Sequence, residues 1–227
     1  MRRLPKLLID LLYPRRAICM GCGDMRGCER DDMCEECRAK LMQNWIGPRM
    51  PGEKFKLDGA AYAYAYPGPA GGMVRNLKYN SAWVLADAMG ADIARAAELL
   101  RMEELTFVTA VPMHPKRLRR RGRNHAELLA RSAAGRLGGA YRELLFRTRN
   151  APQQARLSMK RRRKNLEGAF DILPECRELV DGATILLIDD VCTTGSTARN
   201  CALALRSAGA RRVYFAAYAL GGGRKRG

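Results

Sequence analysis

The sequence predicts an α/β protein, a parallel sheet flanked by helices with a small cysteine-rich module ahead of it, and three observations predict it. An unbroken apolar run at residues 184–188 leads into Asp189-Asp190, turns through Thr-Thr-Gly-Ser-Thr, and enters a helical pattern at 196–208 that is followed by another apolar strand at 213–220. A similar strand at 106–111 and a helical pattern at 126–137 come before it. Two Cys-x-x-Cys pairs, Cys19 with Cys22 and Cys34 with Cys37, precede both.

A chain of 227 residues with 47% hydrophobic content suffices for one substantial core and a satellite. The expected organisation is an N-terminal amphipathic helix within 1–18, a cysteine module at 19–46, a main domain at 53–221 and a basic, disordered tail at 222–227. Leu4, Leu7, Leu8, Leu11 and Leu12 make a one-sided stripe, which either docks on the protein or lies on a membrane surface. Asp10 and Pro14 interrupt the first apolar stretch, and no run reaches the roughly 20 apolar residues of a membrane span. The expectation is a cytoplasmic protein.

Eight cysteines in a reducing compartment read as thiols or metal ligands. Eleven residues separate the two pairs, a spacing at which two knuckles can present Cys19, Cys22, Cys34 and Cys37 tetrahedrally to zinc. Cys28 could replace a ligand or be a spare thiol, and Cys176, Cys192 and Cys201 read as small buried hydrophobes.

The main domain is expected to begin after a Gly/Pro-containing connection at 47–52. Tyr62, Tyr64 and Tyr66 alternate with alanine, the period of a strand at 60–66. Helical spacing follows from 73 to 102, with a break near Asn80-Ser81. The strand at 106–111 opens into a basic loop, in which six of the eight residues from 116 to 123 are Lys or Arg. Gly138-Gly139 closes the next helix. Residues 141–170 are basic with little periodicity and read as an extended surface segment.

The turn after Asp189-Asp190 gathers backbone N–H groups at a helix N-terminus, where the dipole favours an anion. Thr193, Thr194, Ser196 and Thr197 add hydroxyls, and Gly195 lets the backbone approach a ligand. The plainer alternative is a helix cap with two solvated turn acids. A P-loop ATPase is excluded, because no Gly-Lys dipeptide occurs in the chain.

The whole string, Ile185-Leu-Leu-Ile-Asp-Asp-Val-Cys-Thr-Thr-Gly-Ser-Thr197, resembles the diphosphate-sugar motif of type I phosphoribosyltransferases. Val111-Pro-Met-His-Pro through Arg123-Asn124-His125, then Gln154-Ala-Arg-Leu157, Arg162, Asn165 and Gly168-Ala-Phe170, with Asn76-Leu-Lys-Tyr79, are similar to the ComF family of competence proteins. That resemblance implies the type I phosphoribosyltransferase fold and binding of phosphoribosyl pyrophosphate with magnesium. Asp189 and Asp190 would hold the ribose hydroxyls, and Thr193, Thr194, Gly195, Ser196 and Thr197 the 5-phosphate. Lys78, Arg117, Arg119 and Arg123 would grip pyrophosphate, while Gln154, Arg162 and Asn165 would belong to a lid. The family often has Phe-Asn-Gln where this chain has Arg123-Asn124-His125, and a lone histidine there reads as a capping or surface residue.

Two function classes remain: an enzyme of nucleotide metabolism transferring a phosphoribosyl group, and a ligand sensor that contacts single-stranded DNA or DNA-processing proteins during DNA uptake. A net charge of +18 suits polyanions. The run Lys160-Arg-Arg-Arg-Lys164 lacks the interleaved aromatics of a base-stacking platform.

Overall fold

The computed structural model describes residues 19–24, 33–79, 85–148 and 168–221. Its strands are β1 (Trp45–Arg49), β2 (Gly59–Ala65), β3 (Phe107–Ala110), β4 (Ala140–Tyr141), β5 (Leu145–Arg147), β6 (Phe170–Ile172), β7 (Thr184–Cys192) and β8 (Arg212–Leu220). Six of them form one sheet in the order β1-β2-β8-β7-β3-β4, parallel except where edge strand β1 runs against β2. β5 and β6 form a separate antiparallel pair.

The helices are α1 (Glu35–Gln43), α2 (Pro69–Tyr79), α3 (Leu85–Glu98), α4 (Pro115–Arg121), α5 (His125–Leu137), α6 (Arg177–Val180) and α7 (Ser196–Ser207). Helices α2, α3 and α5 cover one face of the sheet, and α7 with the β5/β6 pair covers the other. This is the α/β arrangement expected, with parallel strands buried on both faces and hence continuously apolar. In α3, Leu85, Met89, Ile93 and Ala97 recur on one side and meet the alanine-rich side of α5. Gly90 permits that closeness, since a Cβ there would overlap Ser132.

Several local expectations change. The helical stretch from 73 is two helices, α2 and α3. Gly47 to Arg49, expected as a connection, belong to β1; Gly47 and Pro48 are tolerated there because an edge strand leaves one side of its ladder unpaired. The basic loop is a helix, α4. His114 Nδ1 accepts from Lys116 N–H at 3.0 Å, Pro115 fits the first turn, and Gly122 at φ 74° closes the end.

Tyr62 and Tyr64 do not share a face. Tyr62 packs on the α7 face against Phe215, with ring centroids 6.1 Å apart. Tyr64 lies on the other face, 5.4 Å from both Trp45 and Tyr218. The same slip occurs in β8, where consecutive Tyr218 and Ala219 join one core, before Leu220 returns to the other. Alternation therefore resets beside the centre of β7.

The cysteine knuckle at 19–24 is not detached from this fold. Cys19, Met33, Cys37 and Leu41 are part of the core under α2 and α3. Asn76 Nδ2 donates to the Met20 carbonyl at 2.8 Å, and a Cβ on Gly72 would collide with the Gly21 carbonyl.

Candidate functional site

Strand β7 continues through both acids to Cys192, so Asp189 and Asp190 sit inside the strand and not in the turn. Successive residues of a strand face opposite ways, and the two carboxylates accordingly meet different surroundings.

Asp190 is 8% exposed and accepts a 2.8 Å salt bridge from Lys78 Nζ, in the last turn of α2. His125, the first residue of α5, is 5% exposed on this side, and its Nδ1 has no hydrogen-bond partner. Burial drives its pKa below the ordinary histidine value; the Asp190 charge opposes this, while Arg121 and Lys78 add to it. The expectation of a surface or capping histidine is therefore corrected. Capping falls to its neighbour Asn124, whose side chain accepts from Ala126 N–H at 3.2 Å and donates to the Val111 carbonyl at 3.0 Å.

Asp189 faces the α7 side, where its charge acts on Cys192 and Cys201. Burial first, and then the Asp190 charge, push its carboxyl well above the usual carboxylate range. The Asp190 N–H, donating to Asp189 Oδ1 at 2.8 Å, and Lys78 offset part of this.

Beyond Cys192 the chain turns through Gly195 at φ 72° into the twelve-residue α7. No acidic residue lies in its first turn and Gly195 offers no side-chain cap. Thr194 Oγ1 and Ser196 Oγ are hydrogen-bonded at 2.9 Å, and Ser196 N–H points at Thr194 Oγ1 at 3.4 Å. Residues 193–197 are thus a loop of hydroxyls and amides at the carboxyl end of a central parallel strand, where α/β sheets hold ligands.

Helix α4 follows β3, the neighbour of β7 on one side. Arg117, Arg119 and Arg123 are exposed along it and just past it. Arg121 donates to Tyr79 OH at 3.2 Å, and its guanidinium carbon stands 5.1 Å from the centre of the Tyr79 ring.

Arg147 on β5 went unnoticed in the sequence. Its Nε is buried without a partner, its guanidinium lies 5.4 Å from the Phe170 ring, and burial followed by the nearby charge of Arg117 lowers its pKa. Neither Arg117 nor Arg147 has an ion pair among the described residues. Two cations brought together without a carboxylate between them form an anion-seeking place. Nothing local marks Arg147 out, since it is one arginine in a basic stretch. Gln154, Arg162, Asn165, Cys28 and the 160–164 run lie outside the described residues, as do the 1–18 and 222–227 segments.

The Sγ atoms of Cys19, Cys22, Cys34 and Cys37 all lie within 4.8 Å of one another. Cys34 is the N-cap of α1 and Cys37 stands in its first turn, so both thiols meet the positive end of a helix. Cys19 Sγ accepts from the N–H groups of Cys34 at 3.3 Å and Gly21 at 3.4 Å. Burial raises the Cys19 pKa, but backbone N–H groups of Cys34, Cys22 and Gly21 outweigh it and bring the thiol down to about 6. Four convergent sulfurs, one already thiolate-like, are compatible with a structural zinc ion. Cys176, Cys192 and Cys201 are buried, free thiols.

No family model matches the chain. The DNA utilization protein YhgH of Salmonella typhimurium is 31% identical over 154 residues, which cover 65% of this chain and 66% of that protein. Competence protein F of Haemophilus influenzae is 28% identical over 153 residues, again 65% of this chain and 66% of that protein. The chain thus spans just under two thirds of the length of these relatives. Among solved structures, the glutamine phosphoribosylpyrophosphate amidotransferase from Bacillus subtilis overlaps with a TM-score of 0.41 at 20% identity, over 60% of this chain and 26% of that one. The phosphoribosylpyrophosphate synthetase from Mycobacterium smegmatis does so with a TM-score of 0.32 at 20% identity, over 60% of this chain and 32% of that one. No helix among the described residues is long and apolar enough to cross a membrane.

Proposed function

We propose that this chain, a member of the ComF family alongside DNA utilization protein YhgH and Competence protein F, binds phosphoribosyl pyrophosphate at the carboxyl end of β7. One observation carries the reading. An acid pair and an anion-ready helix start lie on one central strand, with unpaired cations beyond its β3 neighbour.

In this reading Asp189 and Asp190 take the ribose hydroxyls and residues 193–197 the 5-phosphate. Arg117, Arg119 and Arg123 face the diphosphate with Arg147, and Lys78 exchanges Asp190 for it. Magnesium, arriving on the diphosphate, would neutralise charge on the leaving group. The carboxylates would sustain positive charge at the anomeric carbon as the diphosphate departs. Zinc would be structural, and the free thiols suit the cytoplasm.

Calorimetric titration with phosphoribosyl pyrophosphate and magnesium tests this. The intact protein is expected to bind, and silence sinks the reading. Arg147→Ala should weaken binding of inorganic pyrophosphate by about tenfold, on the scale of one charge-assisted hydrogen bond, and leave ribose 5-phosphate unaffected.

A second reading, contact with single-stranded DNA, has its own observation. Tyr79 is 68% exposed beside Arg121 and the exposed arginines of α4, which supplies an aromatic next to cations. Base stacking is worth about 1–3 kcal/mol per base. Tyr79→Ala should therefore weaken oligothymidylate binding by fluorescence anisotropy about fivefold or more, while the steep salt dependence persists. Unchanged affinity would remove this surface from consideration.

A further inference from the structure

On the β8/β2 side of β7, away from α4, the α7 face carries a cavity of about 330 Å³. It is within the range of small-molecule sites, roughly 300–1,000 Å³. Its floor is Tyr62 and Cys192, its roof Phe55 and Leu57, Arg49 lies at its edge, and Thr194 of the phosphate loop forms one wall.

This roof is fastened to the loop. A 3-10 turn at Glu53–Phe55 ends with Lys56 in the left-handed region at φ 57°. Arg199 Nε of α7 donates to the Lys54 carbonyl at 2.9 Å. Phe55 then lies so close over Gly195 that a Cβ there would come 2.6 Å from its ring. Gly195 is glycine for two reasons, its positive φ and this ring. The cavity and the phosphate loop consequently share a wall.

No carboxylate lines the cavity, and the Tyr62 hydroxyl is turned to Cys192 Sγ at 3.8 Å. Aromatic walls with a single cation at the edge favour a flat ring that is neutral or anionic, and disfavour a cation. Position adds the chemistry. A displacement at a sugar carbon brings the nucleophile in opposite the leaving group. Strand order places the cations beyond β3 on one side of β7 and the cavity beside β8 and β2 on the other.

We propose that this cavity is the acceptor site, and that the acceptor is a planar aromatic heterocycle reacting through a ring nitrogen. The inference rests on the phosphoribosyl pyrophosphate reading. The nitrogen lone pair forms the bond to the anomeric carbon, the bond from that carbon to the diphosphate oxygen breaks with its electrons leaving on the diphosphate, and the N–H proton of a neutral ring passes to water.

The test uses the full chain and three probes: adenine, uracil and benzimidazole. Binding is read by ligand-observed saturation-transfer NMR with magnesium, both with and without phosphoribosyl pyrophosphate. Ala60→Leu fills the cavity from β2, away from the phosphate loop, and Leu57→Phe fills it from the roof should the first variant melt early. At least one probe should bind the intact protein and weaken tenfold or more in a filled variant that keeps its affinity for phosphoribosyl pyrophosphate within twofold. No probe bound, or a probe indifferent to both fillings, overturns the proposal. A protein silent to phosphoribosyl pyrophosphate that still binds a probe in the cavity upholds the ligand class and overturns the reading of the phosphate loop instead.

Discussion

Asp189→Asn combined with Asp190→Asn is expected to abolish binding of phosphoribosyl pyrophosphate, while the single substitutions move the stability of the free protein in opposite directions. Two hydrogen bonds from sugar hydroxyls to carboxylates are together worth roughly 3–6 kcal/mol, or about a hundredfold in affinity and more. Asp190 has a cationic partner, Lys78, at 2.8 Å. Asp190→Asn leaves that partly buried ammonium without its counter-charge and should cost roughly 1–3 kcal/mol. Asp189 is a charge pressed into apolar surroundings beside another charge, its pKa raised to about 8. Asp189→Asn should raise the melting temperature of the free protein even as it removes ligand binding, the exchange of stability for function seen at strained sites.

The pH dependence has the same origin and a definite sign. With its folded pKa above the unfolded value of about 3.9, Asp189 binds more protons in the native state between the two. Its contribution to stability is complete below the unfolded value and is lost as pH rises toward about 8. Thermal melts across this window should show a downward component with rising pH that Asp189→Asn lacks. An identical slope in the variant would mean that Asp189 ionises freely.

Removal of the metal carries the other large effect. The described part of the cysteine module contributes Met33, Leu41 and two cysteines to the core, and α1 has no side-chain cap. So little apolar surface cannot hold four thiols within 4.8 Å of one another as the chain warms. Zinc binding in comparable finger peptides is worth about 10–16 kcal/mol. Protein purified without chelator should contain one zinc per chain. Stripping it should erase hydrogen-exchange protection across α1 while leaving α7 protected, and Cys37→Ser should do the same. Retained protection in metal-free protein would assign the cluster's stability to packing alone.

What was legible in the sequence is what neighbours in the chain decide. The apolar run of β7, the glycine that ends it, the start of α7 and the paired cysteines are each written within a dozen residues. Helix α4 was hidden because seven residues, five of them Lys or Arg, show no apolar stripe, although Pro115 and Gly122 were its punctuation. The division of Asp189 and Asp190 between two surroundings required knowing that the strand outlasts them. His125 and Arg147 owe their burial to strand order and to β5/β6, which no local pattern reports. The cavity joins residues near 55 to residues near 194, a juxtaposition made only by the β2-β8-β7 adjacency.

Helix α2 touches both chemistries. Near its start Gly72 abuts the Gly21 carbonyl and Asn76 holds Met20, while its last turn delivers Lys78 to Asp190. Eleven helical residues make a rod about 16 Å long, stiff enough that its two ends do not move independently. Metal occupancy and sugar-diphosphate occupancy are therefore linked functions of one body. Whatever free energy the metal lends to the ligand by steadying that rod, the ligand returns in equal measure as slower loss of the metal.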